Sequence, residues 1–213
     1  MSARDVVLGR LRAALDGAAK PEDVPREYRS GGDLPAGDPG LIDLLADRLT
    51  DYRAVVHRAP AGEAYVAAAV AEILAVASAA RPKVLVPPGL PADWLPADAD
   101  VLRDDGLDAD TLAAVDGVVT GAAVAVAETG TIVLDASPDQ GRRIITLLPD
   151  LHICVLKPAQ VVGSVPEAIA RISPGRPLTW ISGPSATSDI ELNRVEGVHG
   201  PRRLHVIIWE GTS

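Results

Sequence analysis

The sequence predicts an α/β fold: a mostly parallel sheet flanked by helices, with a β-hairpin inserted into it. Three observations carry this. Helical spacing of apolar residues alternates with short strand-like runs through the first half of the chain, giving helix, strand, helix, strand. The strand Lys83-Val84-Leu85-Val86 is a continuous apolar run of the kind that is covered on both faces. Two later apolar runs flank Glu128-Thr129-Gly130, a tight turn that reads as a hairpin in an otherwise parallel sheet.

Taken in order, Val7, Leu8, Leu11, Ala14 and Leu15 recur at helical spacing and predict a first amphipathic helix. Residues 20–40 are rich in Pro, Gly and Asp without apolar periodicity, which reads as a linker or ordered surface arm. Asp38-Pro39 is an N-cap followed by proline at the first helical position. Leu41, Ile42, Leu45, Leu49 and Tyr52 form the stripe of that second helix, and Ala54 to His57 should be a strand. Glu63 to Ala80 is an alanine-rich helix, ended before Pro82, and Pro87-Pro88-Gly89 closes the strand at 83–86. Asp93 to Asp116 carries eight aspartates and one arginine, which reads as a solvated acidic face; metal binding is a distant second because no ligand spacing repeats.

Strands follow at Val118-Thr120, Val124-Ala127 and Thr131-Leu134. Ala136 to Gly141 is a polar loop, and Arg142 to Leu148 reads as a short helix opening on two arginines. Ile153 to Leu156 is a strand, Val165 to Ile172 a helix, and Leu178-Ile181 and Leu204-Trp209 are the last strands. Residues 1–40 thus form an N-terminal helix and a Pro/Gly-rich arm, and 41–213 one α/β domain.

At 213 residues the chain can bury about 70% of its unfolded surface as one domain. With no Phe, three Trp and three Tyr, the core must be aliphatic. A net charge of −9 argues against a nucleic-acid binder, whose affinity comes from Lys and Arg clusters. Cys154 is the single cysteine, so neither an intrachain disulfide nor a four-thiolate iron–sulfur cluster can form from this chain alone. Lying in an apolar run, Cys154 reads as a small buried hydrophobe. There is no signal-peptide pattern and no apolar run of spanning length, so a cytoplasmic location is expected.

Two constellations could carry chemistry. Glu128-Thr129-Gly130-Thr131 sits at a strand-to-strand turn; Glu128 is a candidate nucleophile or acid–base residue, with Thr129, Gly130 and Thr131 contacting a ligand. The alternative is a plain hairpin turn in which Gly130 supplies positive φ. The second is Gly183 to Pro201, a polar loop after a strand, where open α/β sheets bind ligands. Gly183, Ser185, Thr187, Asp189, Glu191 and Gly200 are candidate ligand contacts, and His199, held between glycines, is a candidate catalytic residue. The loop lacks the lysine and spacing of a phosphate-binding loop, and the second glycine of a nucleophile elbow. His57, His152 and His205 lie in or beside apolar strands and read as structural, and no histidine pair has zinc spacing.

The ordered set Ala127-Glu128-Thr129-Gly130-Thr131, Leu147-Leu148-Pro149, His152-Ile153, Gly183-Pro184-Ser185, Asp189-Ile190-Glu191 and Gly197-Val198-His199-Gly200-Pro201 resembles the LUD-domain family, of the lactate-utilisation protein C type, over roughly residues 40–210. One departure is Ala186, where the pattern has an arginine. The resemblance implies a fold similar to the sugar-phosphate isomerase and CoA-transferase group. It also implies support of L-lactate oxidation to pyruvate, with iron–sulfur clusters carried only by partner proteins and no cofactor on this chain. In CoA transferases a glutamate in a Ser-Glu-Asn-Gly turn is the nucleophile, and Glu128 before Thr129-Gly130 is similar in kind.

The leading expectation is therefore a subunit that binds a small anionic metabolite and supports lactate oxidation beside iron–sulfur partner subunits. Two others stay open: a stand-alone enzyme on an acyl-CoA, folate-like or phosphorylated metabolite using Glu128, and a non-catalytic interaction module. Whether the chain is itself an enzyme is not decided by its residues.

Overall fold

The computed structural model describes residues 2–18, 24–60, 62–77, 81–187, 195–196 and 200–210. Its helices are α1 (Ala3–Leu15), α2 (Pro39–Asp51), α3 (Glu63–Ala77), α4 (Ala109–Ala113) and α5 (Val165–Ile169). Its strands are β1 (Val55–Pro60), β2 (Lys83–Val86), β3 (Asp100–Arg103), β4 (Gly117–Thr120), β5 (Val124–Val126), β6 (Thr131–Leu134), β7 (Leu151–Leu156), β8 (Val161–Val162), β9 (Thr179–Ile181), β10 (Ala186–Thr187), β11 (Val195–Glu196) and β12 (Arg203–Glu210).

The main sheet is six-stranded in the order β1-β12-β7-β4-β2-β3, and every pairing in it is parallel. Every residue of β7 is buried, because the strand is central and covered on both faces. On one face Val66, Val70, Ile73 and Leu74 of α3 pack on Val84, Val86, Ile153 and Ile207. On the other, Leu41, Ile42, Leu45 and Leu49 of α2 meet Cys154, Leu156, Val206 and Ile208. Asp38 caps α2, accepting from the Gly40 N–H at 2.8 Å, with Pro39 in the first turn.

The hairpin is where the structure departs from expectation. It is not inserted in the parallel sheet: β5 and β6 form the middle of a separate four-stranded sheet, β8-β5-β6-β9. The reason lies in both of its faces. Ala125, Ala127, Ile132 and Leu134 join the core beneath α2, while Val124, Val126 and Val133 pack with Val162 and Ala168 on the opposite side. Strands apolar on both faces need two covers. The small sheet has them, with the main sheet and α2 on one side and α5 on the other.

The acidic stretch 93–116 is also more than a solvated face, since it holds β3 and α4. Strand β3 is an edge strand with mostly exposed side chains, so it offers no apolar run to read. Asp104, directly after it, is buried and accepts from Arg142 Nε at 2.8 Å and Nη2 at 2.5 Å; the guanidinium holds its carboxyl below the usual range. The described arm residues, 24–38, hold no helix or strand, and the arm is pinned where Gly37 N–H donates to Val161 O at 2.9 Å. Helix α1 carries a Ser2–Asp5 capping box and buries no residue. No described helix is long and apolar enough to cross a membrane.

Two strand histidines form a pair. His57 Nε2 and His205 Nδ1 are 2.9 Å apart, the ring centres are 5.2 Å apart and the planes differ by 15°. The centre separation equals the nitrogen–nitrogen distance plus both ring radii, so the rings are nearly coplanar and meet nitrogen to nitrogen. One imidazole must donate and the other accept. Burial, then the charges of His57 and Arg203, push His205 down to about 4. His152, wholly buried, is likewise pushed down to about 4 by desolvation.

Both imidazoles hold a proton less well folded than unfolded. Their contribution is therefore complete above the unfolded value of about 6.5 and is lost as pH falls toward 4. For His152 the loss across that window is roughly 3 kcal/mol. Urea midpoints should fall between pH 6.5 and 4, before Asp104 and Asp150, held low by Arg142 and Arg202, begin to protonate. His152→Gln should flatten that slope, measured by urea titrations at half-unit pH steps; an unchanged slope would show that His152 does not carry it.

Candidate functional site

A cavity of about 280 Å³ opens where the two sheets meet. Its walls come from the turn Arg143–Thr146 with Leu147, from His152 and Leu204 at the starts of β7 and β12, from β9, and from Ser182–Ser185 with Gly200 and Pro201. It therefore sits at the amino ends of two parallel strands. A site at carboxyl strand ends, expected from the sequence, holds only for β9 of the small sheet.

Each wall has a local cause. Arg142 is fastened to Asp104 and to Leu107 O, while Ile145 and Thr146 are buried, so the turn between them is fixed. Thr146 Oγ1 closes it by donating to Arg143 O at 3.1 Å. Arg143, the next residue after the anchored arginine, is exposed on the cavity wall and makes no side-chain hydrogen bond or ion pair among the described residues. The loop's limbs are joined by Ser185 N–H to Pro201 O at 2.8 Å and by the antiparallel pair β10/β11. Asp150 accepts from Arg202 Nε at 2.5 Å and tethers the loop's end to the start of β7.

Of the residues expected from sequence, Gly183, Ser185 and Gly200 line the cavity. Thr187 lies in β10, and Asp189, Glu191 and His199 fall outside the described residues. Glu128 does not line the cavity. Its carboxylate takes two bonds from Arg29 of the arm, at 2.5 and 3.3 Å, and its N–H donates to Gly163 O at 3.1 Å. Thr129, Gly130 and Thr131 stand between the two places. Thr129 Oγ1 donates to Thr131 Oγ1 at 2.8 Å, and Thr131 Oγ1 shares a 2.8 Å bond with Ser182 Oγ on the cavity wall.

The two turns also share a seat, the last turn of α2. A Cβ on Gly130 (φ 60°) would lie 2.7 Å from Arg48 Cβ, and one on Gly183 (φ 91°) would lie 2.7 Å from Tyr52 Cβ and 2.8 Å from Tyr52 O. Arg48 and Tyr52 are four residues apart, so they fall on one side of the helix. Both glycines are there for positive φ and for close approach at once.

Sequence reasoning missed Arg143, Thr146, His152, Trp180 and Ser182. His152 looked like one more strand histidine, but its Nε2 is 2.8 Å from Thr120 Oγ1 and its ring lies in the wall. Held neutral by burial, it is a hydrogen-bonding group there and not a charge. Chemically, the described residues of the wall provide one cation in a fork that suits a carboxylate, the hydroxyl-bearing Thr146, Thr179, Ser182 and Ser185, and an apolar remainder. Position 186 is alanine, and Arg143 is the cation on the wall among the described residues. Among the described residues no three His, Cys, Asp or Glu side chains gather as metal ligands. Cys154 is buried, and burial pushes its thiol up to about 12.

A family model described as the LUD domain matches residues 90–209. The chain is 49% identical over 207 residues to the lactate utilization protein C of Deinococcus radiodurans, covering 95% of this chain and 93% of that protein. It is 35% identical over 98 residues to the lactate utilization protein C of Bacillus subtilis, a match covering 42% of this chain and 40% of that one. A crystal structure of a DUF162 family protein from Deinococcus radiodurans resembles it with a TM-score of 0.67 at 41% identity, over 80% of this chain and 97% of that chain.

Gly183→Ala should destabilise the fold by about 1–3 kcal/mol, since the new Cβ meets backbone of α2 at positive φ. At roughly 2–4 °C per kcal/mol for a chain of this size, the change is readable by calorimetry; an unaltered melting temperature would mean the loop does not seat on α2.

Proposed function

The chain belongs to the LUD-domain family, and on that premise we propose that it serves lactate utilisation as a ligand-binding subunit. In this reading it supports the oxidation of L-lactate to pyruvate together with separate iron–sulfur proteins, and it binds a small organic anion in the cavity at the sheet junction. The observation that carries the reading is Arg143, a cation on the wall of a 280 Å³ cavity with no ion pair among the described residues. A guanidinium with no carboxylate partner among the described residues, beside hydroxyls and a neutral imidazole, is a donor set that suits a carboxylate ligand.

The division of labour rests on the thiol count. Carrying electrons on a four-thiolate cluster takes four cysteines, and this chain has Cys154 alone, buried and with its thiol pushed up to about 12. The electron-carrying step is therefore assigned to the partners. What this chain's residues do is bind and orient an acid: Arg143 takes the carboxylate, and the hydroxyls with His152 take the oxygen on the adjoining carbon.

Deleting the protein from its host, where no second copy is encoded, should abolish growth on L-lactate and leave growth on glucose intact. The wild-type chain should restore growth, and Arg143→Ala, folded to the same melting temperature, should not. With purified protein, pyruvate or lactate at about a hundredfold excess over Kd should stabilise the wild type by about 2.7 kcal/mol and leave Arg143→Ala unmoved. Undiminished growth of the deletion strain on lactate would overturn the proposal.

A further inference from the structure

We propose that helix α1 is an exchanged docking segment: it lies on the acidic β3 edge of a second copy of this chain, whose own α1 returns the contact. The inference is independent of what the cavity binds. Its first ground is the helix itself. Val7, Leu8, Leu11, Ala14 and Leu15 fall within one stripe of α1, yet no residue of the helix is buried. Leu11 and Leu15 are 53% and 67% exposed. A helix of 13 residues without tertiary packing is marginal in water, and Gly9 weakens its middle further, so it needs a surface that covers the stripe.

Charge states what kind of surface. At about 100° per residue, Arg10 and Arg12 stand on opposite borders of the stripe, and Arg4 lies at its amino end. None of the three makes an ion pair among the described residues. With Asp5 alone opposing them the helix carries +2; the whole chain carries −9, so the rest carries −11. Two α1 stripes face to face would bring like charges together, and an anionic membrane would repel the rest of the chain. An acidic protein surface suits both halves of the molecule.

The strongest such surface is on this chain. The stretch 93–116 holds eight aspartates and one arginine, and β3 within it is the outer strand of the main sheet. Asp98, Asp100 and Asp110 are exposed there without an ion pair among the described residues, and Val101 beside them is 37% exposed. The opposite edge, β1, is not equivalent, because its neighbouring acids Asp43 and Glu210 are held by Arg58 at 2.7 and 2.8 Å. Natural sheets charge an open edge or cover it with a helix. Here β3 bears the charge and α1 of the second copy supplies the helix. Exchange makes the contact twice and closes a two-fold dimer. The chain length permits it: the arm is held to its own chain where Arg29 meets Glu128, and residues 16–28 can span up to about 45 Å.

The test is the association of the full chain, read by light scattering and sedimentation over a range of concentrations. The wild type should be a dimer whose Kd rises at least tenfold between about 50 and 500 mM NaCl, because salt screens the rim. Leu11→Asp should raise that Kd at least tenfold. Arg10→Glu with Arg12→Glu should do the same, and so should Asp98→Lys with Asp100→Lys. Mixed one to one, these two charge-reversed variants should form a heterodimer within about threefold of the wild-type Kd. Each acidic helix then meets a basic edge and each basic helix an acidic one, and recovery also shows that both variants are folded. A chain monomeric at every concentration, a dimer indifferent to both reversals, or variants that dissociate and do not recover on mixing would overturn the inference. A monomer that sediments with phosphatidylserine vesicles, and loses this with Leu11→Asp, would assign the stripe to a membrane and overturn it as well.

Discussion

The rest of the structure depends on one crossing. The last strand, β12, lies inside the main sheet between β1 and β7, while β9, the strand that precedes the loop, belongs to the small sheet. The chain therefore changes sheet between Ile181 and Arg203, and its described residues Ser182–Ser185, Gly200 and Pro201 line the cavity with His152 and Leu204 near the amino ends of β7 and β12. The two sheets share a core, and the cavity lies at that passage. Its place follows from connectivity before any residue in it is considered.

What keeps the gap open and shaped is a small number of fixed points. Both turns that approach it, at Gly130 and Gly183, press on the last turn of α2, and α2 is held by Leu41, Ile42, Leu45 and Leu49 in the shared core. On the far wall Arg142 is spent on Asp104, which leaves Arg143 for the cavity. A half-buried arginine–carboxylate pair adds little net stability, but it sets direction, and direction matters here because adjacent arginines would otherwise be interchangeable. Between the walls, the hydroxyls of Thr129, Thr131 and Ser182 form a chain from the Glu128 turn to the cavity. Glu128 itself is engaged by Arg29, so the arm and not the cavity is its neighbour.

These placements give the organic-anion reading its physical content. Among the described residues the charge on the cavity wall is a single cation, the imidazole beside it is kept neutral by burial, and the thiol is buried.

The sequence by itself determined the elements whose signals are local. Helical periodicity marked α2 and α3, continuous apolar runs marked β2, β4 and β7, and Glu128-Thr129-Gly130 marked the β5–β6 turn. It also marked the polar loop from Gly183 and, through an ordered set of short motifs, the family. Only the tertiary structure decided which sheet the hairpin joins, because a strand apolar on both faces is equally suited to either. It alone separated Arg142 from Arg143 and His152 from His57 and His205, since these side chains differ in partners and not in local sequence. And it moved Glu128 off the cavity wall, because the residue that claims it, Arg29, lies 99 positions away, a distance at which no spacing rule can see a contact.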